Sequence, residues 1–291
     1  MLSRRRSYQR GKRFRSKNTR EDSVKKRAIV VNHNTGLGDL VVMNGCVNYL
    51  STVYDKVFFV TWDTRVAHAN FAYRDNEKIE VYVKPRPAST RQAWLRIKAA
   101  HREIKEDNPD LEIEKLTKGY IPLQKDWKRI QTTEKIWPEI FYTVQGVPYQ
   151  HRYTYMDIPR DYKREDNLES IILAGVKDFA FCVCDTRQYE YNIDFKTNLP
   201  IINPLKFNDW KETLIFDWRG IIEKAREVHT VDTSWMHMIR TMRLKVPKFY
   251  YCVRDVAMSG NGYLNDDFEN GWQRVSNPRK FAKEKRLWWL R

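Results

Sequence analysis

Residues 28–33 (AIVVNH) form a short β-branched run that stops at the glycine turn 34–39 (NTGLGD). The turn feeds directly into 40–50, where Leu40, Val41, Met43, Val47 and Leu50 recur at helical spacing. A buried strand passing through glycines into a helix leaves few architectures open. Further strands are expected at 57–62 (VFFVTW) and 79–83 (IEVYV), with helices at 64–73 and 89–106. Such strand–helix alternation points to an α/β fold with a parallel sheet covered on both faces.

The alternation lapses over 107–170. Trp127, Trp137, Phe141 and Tyr142 supply aromatic anchors there, and 135–145 has helical spacing. The polar, Tyr-rich stretch 148–168 reads as a linker. Alternation resumes with strands at 179–184 (FAFCVC), 200–202, 228–231 and 248–253. Helices are expected at 218–226 and 234–242, and a loop at 260–277. The resulting division is a basic arm over 1–27, an α/β half over 28–150, a linker over 151–170, a second α/β half over 171–278, and a basic C-terminal helix over 279–291.

The formal charge of +16 sits almost wholly in the ends. Residues 1–27 hold 12 Lys/Arg against Glu21 and Asp22, and 279–291 hold 6 against Glu284. The body between them is close to neutral, so its composition is not that of a nucleic-acid-binding surface. Arg4, Arg5, Arg6, Arg10, Arg13 and Arg15 form either a solvated arm or a contact for nucleic acid or another anionic surface. The cluster Leu287–Leu290 (LWWL) either packs back on the body or meets a membrane interface. With 42% hydrophobic and 13% aromatic residues, a wholly disordered chain is excluded. No run of 18 apolar residues is present, so no spanning helix is expected.

The first residues lack the apolar region of a secretory signal, while their Arg-rich, acid-free composition is shared with organelle transit peptides. Four cysteines (Cys46, Cys182, Cys184 and Cys252) are too few for a disulfide framework at this length. A reducing, cytoplasmic compartment is therefore expected, with virion-associated or organellar placement as the alternatives. No metal site is expected: Asp-x-Asp is absent, no His pair has i, i+4 spacing, and Cys182 with Cys184 lacks a partner pair.

Two turns carry candidate chemistry. At the first, Gly36 and Gly38 let backbone approach a ligand or simply make a tight turn, and Asp39 at the helix start either caps or catalyses. The dinucleotide fingerprint would need a third glycine where Val41 stands, which disfavours a nicotinamide-dependent oxidoreductase. At the second, Asp232, Thr233 and Ser234 lead into a helix bearing His237 one turn on. These residues either bind a phosphate or cap the helix with His237 packed beneath. Both turns lie at carboxyl ends of strands, where open α/β sheets bind ligands.

Gly-Leu-Gly-Asp after the first strand and Asp-Thr-x-x-x-His near the end resemble GT-B glycosyltransferases of the heptosyltransferase type. The stretch 216–235 (FDWRGIIEKAREVHTVDTSW) is similar to small GT-B-like proteins of viruses, phages and bacteria. The similarity covers about 28–62 and 178–255. It implies two Rossmann-like halves facing a cleft, and sugar transfer from a nucleotide-sugar to an acceptor hydroxyl without a metal or a bound cofactor. By position, Asp39 is the implied general base and inversion the implied outcome. Asp232, Thr233, Ser234 and His237 would hold the donor diphosphate, with Asp185 and Arg187 adding donor contacts. His229 would touch the nucleotide or pack. The heptosyltransferase pattern has glycine after Asp-Thr, where this chain has Ser234. The competing class is a non-catalytic structural protein of a nucleoprotein assembly, a virion or ribosome-like particle, with a degenerate GT-B body and basic arms on nucleic acid.

Overall fold

The computed structural model describes residues 25–33, 36–115, 137–184, 189–191, 193–207, 213–251, 253, 271–275 and 282–284. The N-terminal half runs β1 (Lys26–Asn32), α1 (Leu37–Val53), β2 (Lys56–Trp62), α2 (Val66–Tyr73), β3 (Ile79–Lys84), α3 (Thr90–Asp107) and β4 (Leu111–Lys115). The four strands form a parallel sheet in the order β3-β2-β1-β4. Then come α4 (Trp137–Val144), α5 (His151–Thr154) and α6 (Tyr162–Leu173).

The C-terminal half contains β5 (Ala180–Val183), β6 (Tyr189–Tyr191), β7 (Ile201–Ile202), α7 (Arg219–Lys224), β8 (Glu227–Val231), α8 (Ser234–Ile239), β9 (Lys248–Tyr251) and β10 (Trp272–Val275). Five of its strands form a second parallel sheet, in the order β10-β9-β8-β5-β7. β11 (Ala282–Glu284) pairs antiparallel with β6.

Strand order fixes where a ligand can enter. In the first half the chain winds outward from β1 to β2 and β3, then returns to place β4 on β1's other side. In the second half it goes from β5 to β7, then crosses back to β8, β9 and β10. The order therefore reverses between β1 and β4, and again between β5 and β8. The crevice at the carboxyl ends of such neighbours is the ligand site of open α/β sheets. Gly36–Asp39 follows β1, and Asp232–Ser234 follows β8.

α1 is buried on nearly every side: Leu40, Val41, Val42, Met43, Asn44, Gly45, Cys46 and Val47 are all inaccessible. It lies between the first sheet and the second half, which an amphipathic surface helix could not do. α3 shows the opposite pattern, burying Ala93, Ala100 and Ile104 against the sheet and turning charged residues outward. One apolar core continues through both halves, from Val31, Leu40 and Phe59 to Phe181, Trp218 and Trp235. Each such side chain buried contributes about 2 kcal/mol before entropy is counted.

Three segments differ from the sequence reading. Residues 111–115 (LEIEK) form β4, with Leu111 and Ile113 packed inward and glutamates alternating with them. As an edge strand it keeps Glu112 and Glu114 toward water, and Glu114 pairs with Arg27 at 2.7 Å. The polar stretch read as a linker contains α5 and the start of α6, with Asp161 accepting from the Arg164 N–H at the helix start. Within 279–291, expected as a helix, Ala282–Glu284 is a strand. The backbone groups of β6 offer it a ladder, and pairing overrides local propensity.

Candidate functional site

The turn after β1 is held by side chains from its own half. His33, buried at the strand end, contacts the Gly36 carbonyl through Nε2 and Thr61 Oγ1 through Nδ1, both at 2.9 Å. A carbonyl only accepts, so the His33 proton is on Nε2 and Nδ1 accepts from the threonine hydroxyl. Burial pushes the His33 pKa down, which keeps this tautomer neutral. Asp39 Oδ2 accepts the Gly36 N–H at 2.8 Å, satisfying a donor at the start of α1. The carboxylate is half-buried and sits where the helix dipole favours negative charge.

Arg65, in the 3-10 turn after β2, is the nearby cation. Burial and then Arg86 lower its pKa, while the Asp39 charge acts the other way. Next to it, His68 is pushed down to about 4 by burial and by Arg65. The His68 Nε2 accepts the Ile215 N–H of the other half at 3.4 Å.

The turn after β8 is built differently. Thr233 is the extended residue before α8, yet its hydroxyl makes no cap. Thr233 Oγ1 is buried and has no hydrogen-bond partner among the described residues. Asp232 is a buried carboxylate at the strand end, and His237 is 8% exposed beneath the first turn of α8. The His237 Nδ1 lies 3.2 Å from Arg152 Nη2 of α5.

The structure brings the two turns into direct contact. A methyl placed on Gly38 would lie 3.1 Å from His237 Cδ2 and 3.4 Å from Ser234 Cα. The absent side chain at Gly38 thus lets α8 approach α1, and protein atoms already occupy that face of the glycine. Gly36 has an ordinary backbone (φ −82°), and its nearest neighbour is Asp39 Oδ2. Farther along α1, a methyl on Gly45 would lie 2.4 Å from the His151 carbonyl oxygen and 2.9 Å from Arg152 Cα. α5 therefore lies flat on α1, and this contact carries Arg152 to His237.

Not every expected residue joins this junction. His229 lies on the sheet face away from α8. Its ring contacts Tyr251 Oη at 2.8 Å and Glu227 Oε2 at 3.1 Å, and stacks on Phe249 with centroids 4.6 Å apart. Asp185, Arg187 and the arm arginines Arg4, Arg5, Arg6, Arg10, Arg13 and Arg15 lie outside the described residues. His33 and Arg152 were not singled out from sequence. The first hid inside a β-branched run, and the second inside a polar stretch with no periodic signal.

Among the described residues no group of three or more His, Cys, Asp or Glu is placed to hold a metal ion, and no helix is long and apolar enough to cross a membrane. A separate open cavity of about 750 Å³ lies at the amino ends of β5 and β8, lined by Asp166, Glu169, Leu173, Phe179, Lys224 and Arg226. Lys224 pairs with Glu169, and Arg226 with Asp178. That cavity is at the opposite strand ends from the sites where such sheets bind ligands, so the strand topology outweighs its size.

Two parallel sheets of Rossmann type, meeting through helices that start at their strand carboxyl ends, define the GT-B fold of glycosyltransferases. Among solved structures, the chain is similar to a family 9 glycosyl transferase from Veillonella parvula, with a TM-score of 0.55 and 10% identity over 87% of this chain and 88% of that one. It is also similar to E. coli heptosyltransferase WaaC with ADP (TM-score 0.37, 13% identity, 84% and 99% covered). The same enzyme with ADP-2-deoxy-2-fluoro heptose gives a TM-score of 0.39 at 13% identity, with 86% and 93% covered. No family profile and no curated protein matches the chain. At 10% identity the likeness to the family 9 enzyme is one of fold.

Proposed function

We propose that this protein is a metal-independent glycosyltransferase that moves a sugar from a nucleotide-sugar to an acceptor hydroxyl with inversion. The observation that carries this reading is the contact of the Asp39 turn with the Ser234–His237 turn, one from each half of a GT-B fold. Asp39 takes the proton of the acceptor hydroxyl as its oxygen attacks the anomeric carbon. One carboxylate oxygen is oriented by the Gly36 N–H, and the other acts as the base. The new carbon–oxygen bond forms opposite the bond that breaks, and the nucleoside diphosphate leaves with the electron pair.

The leaving charge develops near α8. There the Thr233 hydroxyl, which has no partner among the described residues, and the His237 N–H serve as donors to phosphate oxygens. Ser234 shapes the same turn, and Asp232 fixes it from the strand end. Asp185 and Arg187, which follow β5 in sequence, are the further donor contacts of this reading, with the arginine as the group that would neutralise the diphosphate. Arg65 places positive charge beside Asp39.

Thermal unfolding of the full chain against UDP-, GDP-, ADP- and CMP-sugars tests this. A bound donor stabilises the fold by mass action, by about 2.7 kcal/mol at a hundredfold excess over Kd, and so raises the unfolding temperature. Asp39→Asn is expected to keep that stabilisation and to lower turnover of the stabilising donor by about 10²–10⁴-fold. No stabilising nucleotide-sugar, or unchanged turnover in Asp39→Asn, contradicts the reading.

A further inference from the structure

Arg152 is 1% exposed, and among the described residues its contacts are all with uncharged or imidazole groups. Nη1 donates to Tyr149 Oη at 2.9 Å and Nη2 to His237 Nδ1 at 3.2 Å. The guanidinium also lies 5.4 Å from the Tyr153 ring centroid. A cation removed from water with no carboxylate opposite it is an expensive way to fill space, and an apolar side chain of similar volume would pack at lower cost. Its placement is nonetheless tightly determined. α5 rests on Gly45 of α1, and Asn44 Oδ1 accepts the Asp157 N–H at 2.9 Å just beyond, so the segment cannot drift.

The chemistry of the contact settles a proton. A guanidinium has five N–H donors and no acceptor, so the nitrogen facing it must accept. His237 Nδ1 is therefore bare, and the proton sits on Nε2. The Cδ2 atom bonded to Nε2 is the one that meets Gly38, so the protonated edge of the ring faces the start of α1.

We propose that Arg152 is a positioning residue: it fixes His237 in the neutral tautomer protonated on Nε2, and so presents an N–H donor to the donor diphosphate at the junction of α1 and α8. An acid–histidine pair makes the outer nitrogen a better base, whereas a guanidinium–histidine pair makes the outer N–H a better donor without ionising the ring. The diphosphate rests on the function proposed above; the tautomer does not.

The test is a long-range ¹H–¹⁵N imidazole spectrum of the full ¹⁵N-labelled chain at pH 7.5, with His237 assigned through His237→Gln. The expected wild-type pattern is a bare Nδ1 and a protonated Nε2. A proton on Nδ1, or a doubly protonated ring, overturns the proposal from the wild-type spectrum alone, whether or not any variant folds. In Arg152→Met the signals should collapse to a tautomer average, while Tyr149→Phe, which keeps the guanidinium–imidazole contact, should leave them unchanged. A fixed Nε2–H in Arg152→Met also overturns it.

ADP and UDP serve as probes for the second clause. Either should move the His237 Nε2 signal, and Arg152→Met should bind that probe about tenfold more weakly. Equal affinity in the variant overturns the link to the ligand. If the tautomer is as stated and neither probe moves the signal, the donor-site reading fails while the positioning of His237 by Arg152 stands.

Discussion

The two helix starts that meet at Gly38 are stabilised in opposite ways. The first is closed from within its own half: His33 holds the Gly36 carbonyl, Thr61 holds His33, and Asp39 holds the Gly36 amide. The second is held from outside, by α1 against Ser234 and by Arg152 on His237, and it keeps a buried Thr233 hydroxyl that no group among the described residues satisfies. A turn closed on itself suits a base that must stay ionised and oriented. A turn braced from behind, with a donor left over, suits a group that must accept charge from a ligand. The difference in hydrogen bonding matches the different roles proposed for Asp39 and for Thr233–His237.

Breaking the brace should have the largest effect on stability. Gly45→Ala drives a methyl into the backbone of His151 and Arg152, which have no rotamer by which to yield. A loss of about 3 kcal/mol is expected in urea-induced unfolding, at the upper end for overpacking. A loss below about 0.5 kcal/mol would mean that α5 does not bear on α1 as described.

Acid should loosen the self-closed turn first. Burial lowers the pKa of His33, of His229, and of His68, the last to about 4. The unfolded chain binds protons below its ordinary histidine pKa of about 6.5, where these folded rings remain neutral. Stability contributed by the three is therefore complete above about pH 6.5 and declines as the pH falls toward the folded values. For His68 alone the loss at pH 5 is about 2 kcal/mol. Glu103 and Glu114, whose pKa values are lowered by partners, contribute fully above the ordinary carboxylate value and lose that contribution only as the pH falls below it. Unfolding midpoints that stay flat from pH 7 to pH 5 would show that these rings are not held neutral.

The smallest stability effect belongs to Thr233→Val. It removes a hydroxyl that has no partner, so unfolding should shift by less than about 0.5 kcal/mol in either direction. Affinity for the stabilising nucleotide-sugar should still fall severalfold. A large stability loss with unchanged affinity would make Thr233 a structural residue and erase the contrast between the turns.

Much of the architecture was legible because β-branched and aromatic runs coincide with parallel strands: residues 28–33, 57–62, 79–83 and 179–184 all lie in or against the observed sheets. β4 and β11 were not, since β4 offers only two apolar residues in a charged stretch and β11 is a three-residue strand that exists only through its partner. α6 was hidden by its charges. Its Arg164 serves the buried Asp217 through two contacts of 2.9 and 2.7 Å, a pairing that no local pattern announces. Asp39 and Asp232–Ser234 could be found because glycines and small polar residues at strand ends have few other uses. His33 and Arg152 could not, because their roles depend on which element packs behind them.

The central claim, that a nucleotide-sugar binds where α1 meets α8, is most directly tested by hydrogen–deuterium exchange of the full chain with and without the stabilising nucleotide-sugar. Slower exchange confined to peptides covering 33–40 and 230–240 is the result this account predicts. Protection confined to 166–177 and 224–226 around the separate cavity, with those turns unchanged, would contradict it.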